Sequence, residues 1–498
     1  MSFAPAFGLS DRYRALCSVL ICILLCLPAL QGPLSATTQA AEPGDEDLAR
    51  LVTRLQELRA ELTQQQSRQG AFSESLLTTL NSLSEALLSA GAWQEALEAV
   101  EQQIQIIRIN DGLYADAQIS LIMQQLDIMA SQSDWESMFD RLNHLDWLFQ
   151  RTTDTPAEER LLVLKQARDW IRLLLLRGPR TQEAQYLPRL RDLEQSAVDI
   201  ARESDLGPQV LTATLYDLAQ AELYIALGIV STSDTSQQLI DQQRGISSPL
   251  RPNQTIRSVS DLEAVYGART STMIERSHRS AMASHYQLIT ELGEIQEIDA
   301  ESAPEQAAML KIYLGDSMLM RQQYELSLGS SIARPRGSGN IGNAGRYYNE
   351  AWQLFLSAGY TDEQLNILFA CPTLLPLDDF SAQMGASTSA CAKQDDGSLL
   401  LSDVVVTRYG IPGLRYDNLP DSSLISTPDG VSATLQFGVG MNGQPERIQI
   451  LSSEPADTSA RIRGRDALLD MQFRPALKDG KVIRLSDVHM TIFVLEPD

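Results

Sequence analysis

The chain has 498 residues, 44% of them hydrophobic, which is enough to fill the cores of several domains and excludes a disordered chain. Its 40 Lys and Arg face 64 Asp and Glu, and this net charge of −24 disfavours nucleic-acid binding, because clustered cations are needed to replace phosphate counterions. Four histidines and an aromatic content of 6% leave little material for a metal centre or an aromatic cofactor cage, so no metal or cofactor is expected.

The N-terminus has the pattern of a secretory signal peptide. Arg12 and Arg14 precede an apolar run at residues 15–30, and small and polar residues follow up to Ala41. The run is shorter than the roughly 20 residues that a permanent membrane helix needs. We therefore expect residues 1–41 to be removed on export to the periplasm, and the alternative is an uncleaved anchor in the inner membrane.

Two cysteines remain after such a cleavage, Cys371 and Cys391. Export places them in a compartment that oxidises thiols, so a structural disulfide that closes a loop of about 20 residues is the expected state. A redox-active or metal-binding pair would need closer spacing or further Cys and His nearby, and residues 367–401 offer neither. We interpret residues 367–401 as a linker that carries this disulfide.

Helical periodicity runs through the first two thirds of the exported chain. Leucines at spacings of three and four predict one amphipathic N-terminal helix within residues 42–70. Beyond it, large, small and turn residues follow one another as they do in a helical hairpin. These positions are Leu80, Leu83, Leu87, Gly91, Trp93, Ala96, Val100 and Ile104.

This spacing resembles the tetratricopeptide repeat, a helical hairpin of about 34 residues. The match is weaker in the next hairpin, where Ser133 and Met138 stand in place of the turn Gly and the small Ala. We predict that residues 71–366 form a degenerate tetratricopeptide-like array, with polar insertions at about 230–258 and 329–345. Such arrays stack into a continuous core and present an extended surface to a protein partner.

Two patterns in this region could be mistaken for functional sites. Gly337, Gly339 and Gly342 satisfy the G-x-G-x-x-G fingerprint, but no apolar strand precedes them, so a nucleotide site is not expected. His278 and His285 lie seven residues apart on a predicted helix. Without a third ligand they favour a solvated or loosely packed face over a metal site.

From about residue 402 the apolar pattern changes from the helical period to alternation. The segments are a strand at 431–439, a turn at Asn442-Gly443, a strand around 448–450, a helix at 458–471 and a strand at 488–495. This order predicts a multidomain protein in which the helical array is followed by a small α+β domain (ββαβ) over residues 402–498.

These residues resemble the TonB C-terminal domain family over about 403–497. The resemblance is carried by Gly430-Val431, Asn442-Gly443, residues 448–453 (IQILSS) and Phe473-Arg474-Pro475. One departure is Met471, which stands where the family usually has Trp and affects core packing.

The resemblance implies a domain that binds extended peptides or partner domains, often through an exposed strand edge and without a catalytic group. The last strand is the candidate edge, and His489, Thr491 and Phe493 on one of its faces are the candidate partner-binding residues. Alternatively, these three residues merely complete the sheet.

The first functional expectation is therefore a non-enzymatic periplasmic scaffold or adaptor of a Gram-negative envelope that binds a protein or extended-peptide partner. The second is a TonB-like energy transducer of outer-membrane transport. It would retain residues 1–41, but residues 15–30 lack His and helices replace the family's Pro-rich spacer. The third is an envelope enzyme, although the motifs G-x-S-x-G, H-E-x-x-H, G-x-x-x-x-G-K-[ST] and C-x-x-C are absent from the sequence.

The acidity is concentrated in the helical region. Residues 42–401 carry 28 Lys and Arg against 50 Asp and Glu, whereas residues 402–498 carry 10 against 13. The array is thus expected to present an acidic surface, and the C-terminal domain is nearly neutral.

Overall fold

A computed structural model gives the fold of the chain. It describes residues 45–149, 151, 155–179, 182–204, 206–230, 268–297, 303–325, 338–377, 391–394, 397–407, 414–415 and 430–495. The predicted signal peptide and residues 231–258 of the first predicted insertion lie outside the described residues.

The first part of the described chain is helical. The helices are α1 (Asp45–Gln69), α2 (Leu76–Ser89), α3 (Trp93–Asn110), α4 (Ala117–Ser131), α5 (Trp135–Phe149), α6 (Ala157–Arg177), α7 (Glu183–Glu203), α8 (Pro208–Val230), α9 (Ala268–Glu297), α10 (Pro304–Tyr324), α11 (Ser338–Ser357) and α12 (Asp362–Leu368). Each helix from α1 to α11 packs against the next one along the chain. This serial packing is the organisation expected of a helical-repeat array.

The α2–α3 hairpin follows its predicted spacing closely. Gly91 adopts a φ of 69° at the turn, a left-handed conformation that glycine reaches without strain. Leu80 and Ala96 are fully buried where the two helices meet. In the α4–α5 hairpin, Ser133 occupies the corresponding turn position with a φ of 58°. A non-glycine residue therefore adopts the left-handed conformation at that turn.

The second predicted insertion is partly wrong, because α11 begins at Ser338, inside the stretch 329–345. Helical packing overrides the weak local preference of the Gly-rich sequence: Ala344, Tyr348 and Trp352 are all buried against the array. Gly339 and Gly342 of the G-x-G-x-x-G match lie within this helix. Gly337 lies outside the described residues.

The C-terminal part is built on strands. They are β1 (Thr373–Leu375), β2 (Cys391–Lys393), β3 (Leu399–Leu401), β4 (Val404–Thr407), β5 (Val431–Val439), β6 (Pro445–Glu454), β7 (Gln472–Arg474), β8 (Leu477–Lys478), β9 (Lys481–Val482) and β10 (Leu485–Leu495), with helix α13 (Thr458–Leu469) between β6 and β7. The predicted order of a helical region followed by a small sheet-containing region is confirmed.

The main sheet has the strand order β2-β3-β10-β5-β6, and β4 also pairs with β10. Alternate residues of β5 and β10 form the core beneath α13, among them Leu435, Phe437 and Ile492, which are at most 1% exposed. A Cβ on Gly464 of α13 would lie 2.3 Å from the Cβ of Ala433, so only glycine allows the helix to approach β5 this closely. Met471 is 3% exposed and belongs to the same core.

The prediction that the last strand forms a free edge is wrong. β10 pairs with β5 in antiparallel orientation on one side, and with β3 and β4 in parallel orientation on the other. Short strands on the N-terminal side of the domain, which the alternation pattern did not reveal, occupy the outer side of β10. Within the described residues, β2, β4 and β6 each pair on one side only, and they form the open edges of this sheet.

Candidate functional site

The three predicted partner-binding residues lie together on one face of the central strand. His489, Thr491 and Phe493 alternate with the fully buried residues of β10, so they face away from α13 and are half-buried. The Thr491 hydroxyl lies 3.3 Å from the hydroxyl of Thr434 on β5, and His489 Nε2 lies 3.2 Å from Asp487. Their role in binding a partner stays a prediction, and β10 has no open backbone edge while β3 and β4 are paired with it.

The long edge strand β6 is the better place for such contact. Its described backbone partners all lie on β5, along a pairing that runs from Ser432↔Glu454 to Val439↔Pro445. Leu451 projects from β6 with 51% of its surface exposed. An edge strand with an exposed apolar side chain has unpaired backbone groups that an extended peptide can meet by β-augmentation.

A second feature is a closely packed junction between the array and the C-terminal domain. β1, which directly follows the array, pairs with β7 in antiparallel register, with Thr373 opposite Arg474 and Leu375 opposite Gln472. β7 also packs against α10, and β9 packs against α11. The segment that follows the array is therefore paired with β7 through its backbone, and helices α10 and α11 of the array pack against β7 and β9.

At the centre of this junction, Arg474 of β7 forms an ion pair with Asp316 of α10. Arg474 Nε donates to the two carboxylate oxygens at 2.8 and 3.1 Å, and Nη2 donates to Oδ2 at 2.5 Å. The two side chains are only 3% and 2% exposed. Burial by itself would lower the pKa of Arg474, but the adjoining carboxylate outweighs it and raises the pKa, so the guanidinium stays charged.

Tyr348 completes the coordination of Asp316 from α11, donating its hydroxyl proton to Oδ1 at 2.9 Å. Burial and the neighbouring Asp316 carboxylate raise the pKa of this tyrosine well above its usual value, which keeps it a donor. The ring lies over Gly315, where a Cβ would come within 2.4 Å of the ring carbon Cε1. Glycine at 315 is therefore required for the tyrosine to reach the carboxylate.

Further hydrogen bonds surround this pair. The Tyr324 hydroxyl donates to the Asp470 carbonyl at 3.2 Å, and the Leu477 N–H donates to the Phe369 carbonyl at 2.9 Å. At the rim, the side chain of Asn366 bonds both the carboxylate and the backbone N–H of Asp479, at 2.8 and 2.9 Å. Hydrogen bonds thus extend across the junction from its buried centre to its rim.

The predicted cysteine pair lies beside the junction. Cys371 and Cys391 form a disulfide with a Cα–Cα distance of 6.0 Å, which ties the end of the array to β2 of the main sheet. Cys371 is 5% exposed. The cross-link thus holds the start of the sheet against the segment that contains β1.

The two helical histidines are not solvated, contrary to the prediction: His278 and His285 are 0% and 1% exposed. The reason is that α9 packs against both α8 and α10. His285 Nδ1 lies 2.7 Å from the Ala219 carbonyl on α8, and Nε2 lies 3.3 Å from the Ser317 hydroxyl on α10. Burial lowers the pKa of each histidine to about 4, so both are neutral at physiological pH.

A buried charge cluster occupies the middle of the array. Arg168 of α6 donates to Asp217 of α8 at 2.6 Å and lies 3.8 Å from Glu194 of α7. Burial, together with the neighbouring Asp217, raises the pKa of Glu194 to about 8. At neutral pH this carboxyl therefore holds its proton.

Among the described residues, His, Cys, Asp and Glu side chains form no group of three or more that could hold a metal ion. No helix among the described residues combines the length and the apolar character needed to cross a membrane.

No family model matches the chain, and no curated protein matches it. One solved structure similar to it is a Podosopora anserina protein described as a kinesin light chain with nearly identical TPR-like repeats. The two are 15% identical, the match covers 48% of this chain and 96% of that chain, and the TM-score is 0.27. A TM-score this low carries no argument about fold or function.

Proposed function

We propose that the chain is an exported scaffold of a Gram-negative cell envelope that binds protein partners and catalyses no reaction of its own. One observation carries the proposal: the buried Arg474–Asp316 pair, together with the β1–β7 pairing, fixes a helical-repeat array to a small sheet that has an open edge. Two binding surfaces held in a constant relation are what an adaptor needs in order to bring two partners together.

The partner expected at the sheet is an extended peptide at β6. Backbone groups on the open side of this strand supply affinity, and exposed side chains such as Leu451 supply selectivity. The acidic array is the second surface, and its excess of Asp and Glu favours a partner with a basic face. Export is supported by the pattern of residues 1–41 and by the disulfide that a periplasmic location permits.

The alternative of a TonB-like energy transducer rests on the sequence resemblance alone. It would need residues 1–41 as a permanent membrane anchor, and these lie outside the described residues. N-terminal sequencing of the protein recovered from cells separates the two functions, because the scaffold predicts a chain that starts near residue 42 and the transducer an intact N-terminus.

Partner binding at β6 can be tested by site-specific photo-crosslinking in cells. The probe replaces Leu451, and a matched control replaces Ile462 of α13, which lies on neither proposed binding surface and has a similar exposure of 52%. The proposal predicts a specific adduct from position 451 that position 462 does not give, and it predicts that this adduct is found in the periplasm. Equal labelling from the two positions, or none from position 451, would contradict it.

A further inference from the structure

The outer side of β10 is covered by the chain's own short strands. We call β3 and β4 together the cover, residues 399–407. The cover pairs with β10 through Val488↔Leu399 and His489↔Leu400, and then through four pairs from Ile492↔Val404 to Leu495↔Thr407. On its other side, β10 pairs with β5 almost without interruption along the strand.

Three features make the cover the weaker of these two neighbours. Its pairing is parallel, which is slightly less stable per residue than antiparallel pairing. The pairing is interrupted, because Ser402 and Asp403 belong to neither strand and are exposed. From the pair Val488↔Leu399 to the pair Ile492↔Val404, the cover advances by five positions and β10 by only four, so the cover carries an irregularity.

Both ends of the cover are held by the same stretch of chain. On its N-terminal side, β2 pairs with β3, and Cys391 of β2 is bonded to Cys371. On its C-terminal side, Arg415 is 1% exposed and donates from Nη2 to the carbonyl of Leu374 at 2.9 Å and to that of Pro376. The cover is thus a strap whose two ends meet at residues 371–376.

The cover's side chains show what could replace it. Leu401, Val404 and Val406 are at most 9% exposed and belong to the core under α13, and Val405 is also buried, at 3% exposed, but lies outside that core. Ser402 and Asp403 face solvent. A replacement strand therefore needs apolar residues at alternate positions to refill that core. The rest of the sheet keeps its pairing when the cover leaves, because β5, β6 and β10 pair with one another independently of it.

We propose that the cover is displaceable, and that an extended peptide with apolar residues at alternate positions takes its place on β10 once the Cys371–Cys391 disulfide is opened. A dithiol performs the opening: it supplies two electrons and two protons, the S–S bond breaks, both sulfurs become thiols, and the dithiol leaves as a disulfide. The inference rests on the proposed function only in requiring that a peptide partner exists, since it concerns an edge separate from β6.

The physical reason for coupling the disulfide to exchange is effective concentration. A strand tethered at both ends competes with an incoming peptide at a high local concentration, and freeing one end lowers that concentration. The buried Arg415 still holds the chain on the C-terminal side of the cover, so the cover can move off β10 without detaching from the domain.

The test uses the full chain and a labelled peptide with the sequence of residues 399–407, LLLSDVVVT. We expect the Cys371→Ser/Cys391→Ser variant to bind this peptide about tenfold more tightly than the oxidised wild type, because one tether is gone. A control peptide carrying Val404→Asp and Val406→Asp should bind neither protein. Equal affinity of the two proteins for the first peptide would overturn the proposal.

If the double Ser variant folds poorly, hydrogen exchange on the wild type with and without a dithiol tests the same displacement of the cover. We expect amides of residues 399–407 to exchange about tenfold faster after reduction, while those of residues 431–439 stay unchanged. Unchanged protection of 399–407, or loss of protection over the whole sheet, would overturn it. Because crosslinking at Leu451 does not involve the cover, failure here leaves the β6 result to be judged separately.

Discussion

Arg474 and Asp316, 158 residues apart in the sequence, form a buried bidentate ion pair that joins the C-terminal domain to the helical array. A buried charge that loses its partner is strongly unfavourable, whereas a pair of apolar side chains in the same place is tolerated. The ion pair therefore ties correct packing of the sheet to correct packing of α10, and each region depends on the other.

Removing one member of this pair should destabilise the protein far more than removing both. We expect Asp316→Leu or Arg474→Met alone to lower the free energy of unfolding by about 3–5 kcal/mol, and the double variant to lose less than either single variant. Urea unfolding of the four proteins measures this. Exposed Arg59, which pairs with Glu95, serves as the control, since Arg59→Ala should cost less than about 1 kcal/mol. Additive losses in the double variant would mean that the two side chains act independently.

Two glycines of the array offer a matched test of the Tyr348 contact. Gly315→Ala places a methyl group 2.4 Å from the ring of Tyr348, and we expect a loss of about 1–3 kcal/mol in stability as the ring is forced off Asp316. Gly345 has no atom within 4 Å of the added Cβ and lies within α11. Gly345→Ala should therefore stabilise by about 0.5–1 kcal/mol through helix propensity. Thermal unfolding followed by circular dichroism distinguishes these opposite signs.

Buried His285 predicts a loss of stability in acid. Its pKa is about 4 in the folded protein, against an ordinary value of 6.5. Below pH 6.5 the unfolded chain therefore binds a proton at this histidine that the native state does not bind. Between about pH 7 and pH 5 the wild type should lose about 2 kcal/mol relative to His285→Gln. Denaturant midpoints of both proteins across this range measure the difference. Parallel pH profiles would show that His285 is not buried as a neutral ring.

Buried Glu194 predicts the opposite dependence of stability on pH, a loss as the pH rises. Its pKa is raised to about 8 by burial and by Asp217, so the native state holds a proton that the unfolded chain releases above its ordinary pKa of 4.5. The wild type should therefore lose stability relative to Glu194→Gln as the pH rises from 5.5 to 7.5. Denaturant midpoints of both proteins across this range measure the difference. Parallel pH profiles of the two proteins would show that the native state does not hold this proton.

Much of the local structure follows from patterns that the sequence displays. Alternation over residues 431–439 and 488–495 predicts β5 and β10, and the Asn442-Gly443 turn joins β5 to β6 as expected. Gly443 also has a φ of 73°, and a Cβ there would lie 1.8 Å from the Phe473 carbonyl oxygen. The turn glycine is thus needed both for its conformation and for its contact with β7.

The junction could not be predicted in the same way. Asp316 stands alone among apolar residues of α10, which signals a buried partner, but nothing local identifies Arg474 as that partner. The strands β1, β3 and β4 have three or four residues each, too few to show alternation. Their pairing with β7 and β10 depends on tertiary contacts. The sequence therefore wrongly predicts that β10 has an open edge.

Pulse-labelled hydrogen exchange across a denaturant series tests most directly whether the array and the sheet form one body. Peptides from α10 (Pro304–Tyr324), β5 (Val431–Val439) and β10 (Leu485–Leu495) are followed in the same samples. A junction built on Arg474, Asp316 and the β1–β7 pairing predicts that all three lose protection at the same denaturant concentration. If β5 and β10 stay protected where α10 is already fully exchanged, or the reverse, the two regions are independent and the account of a fixed scaffold is wrong.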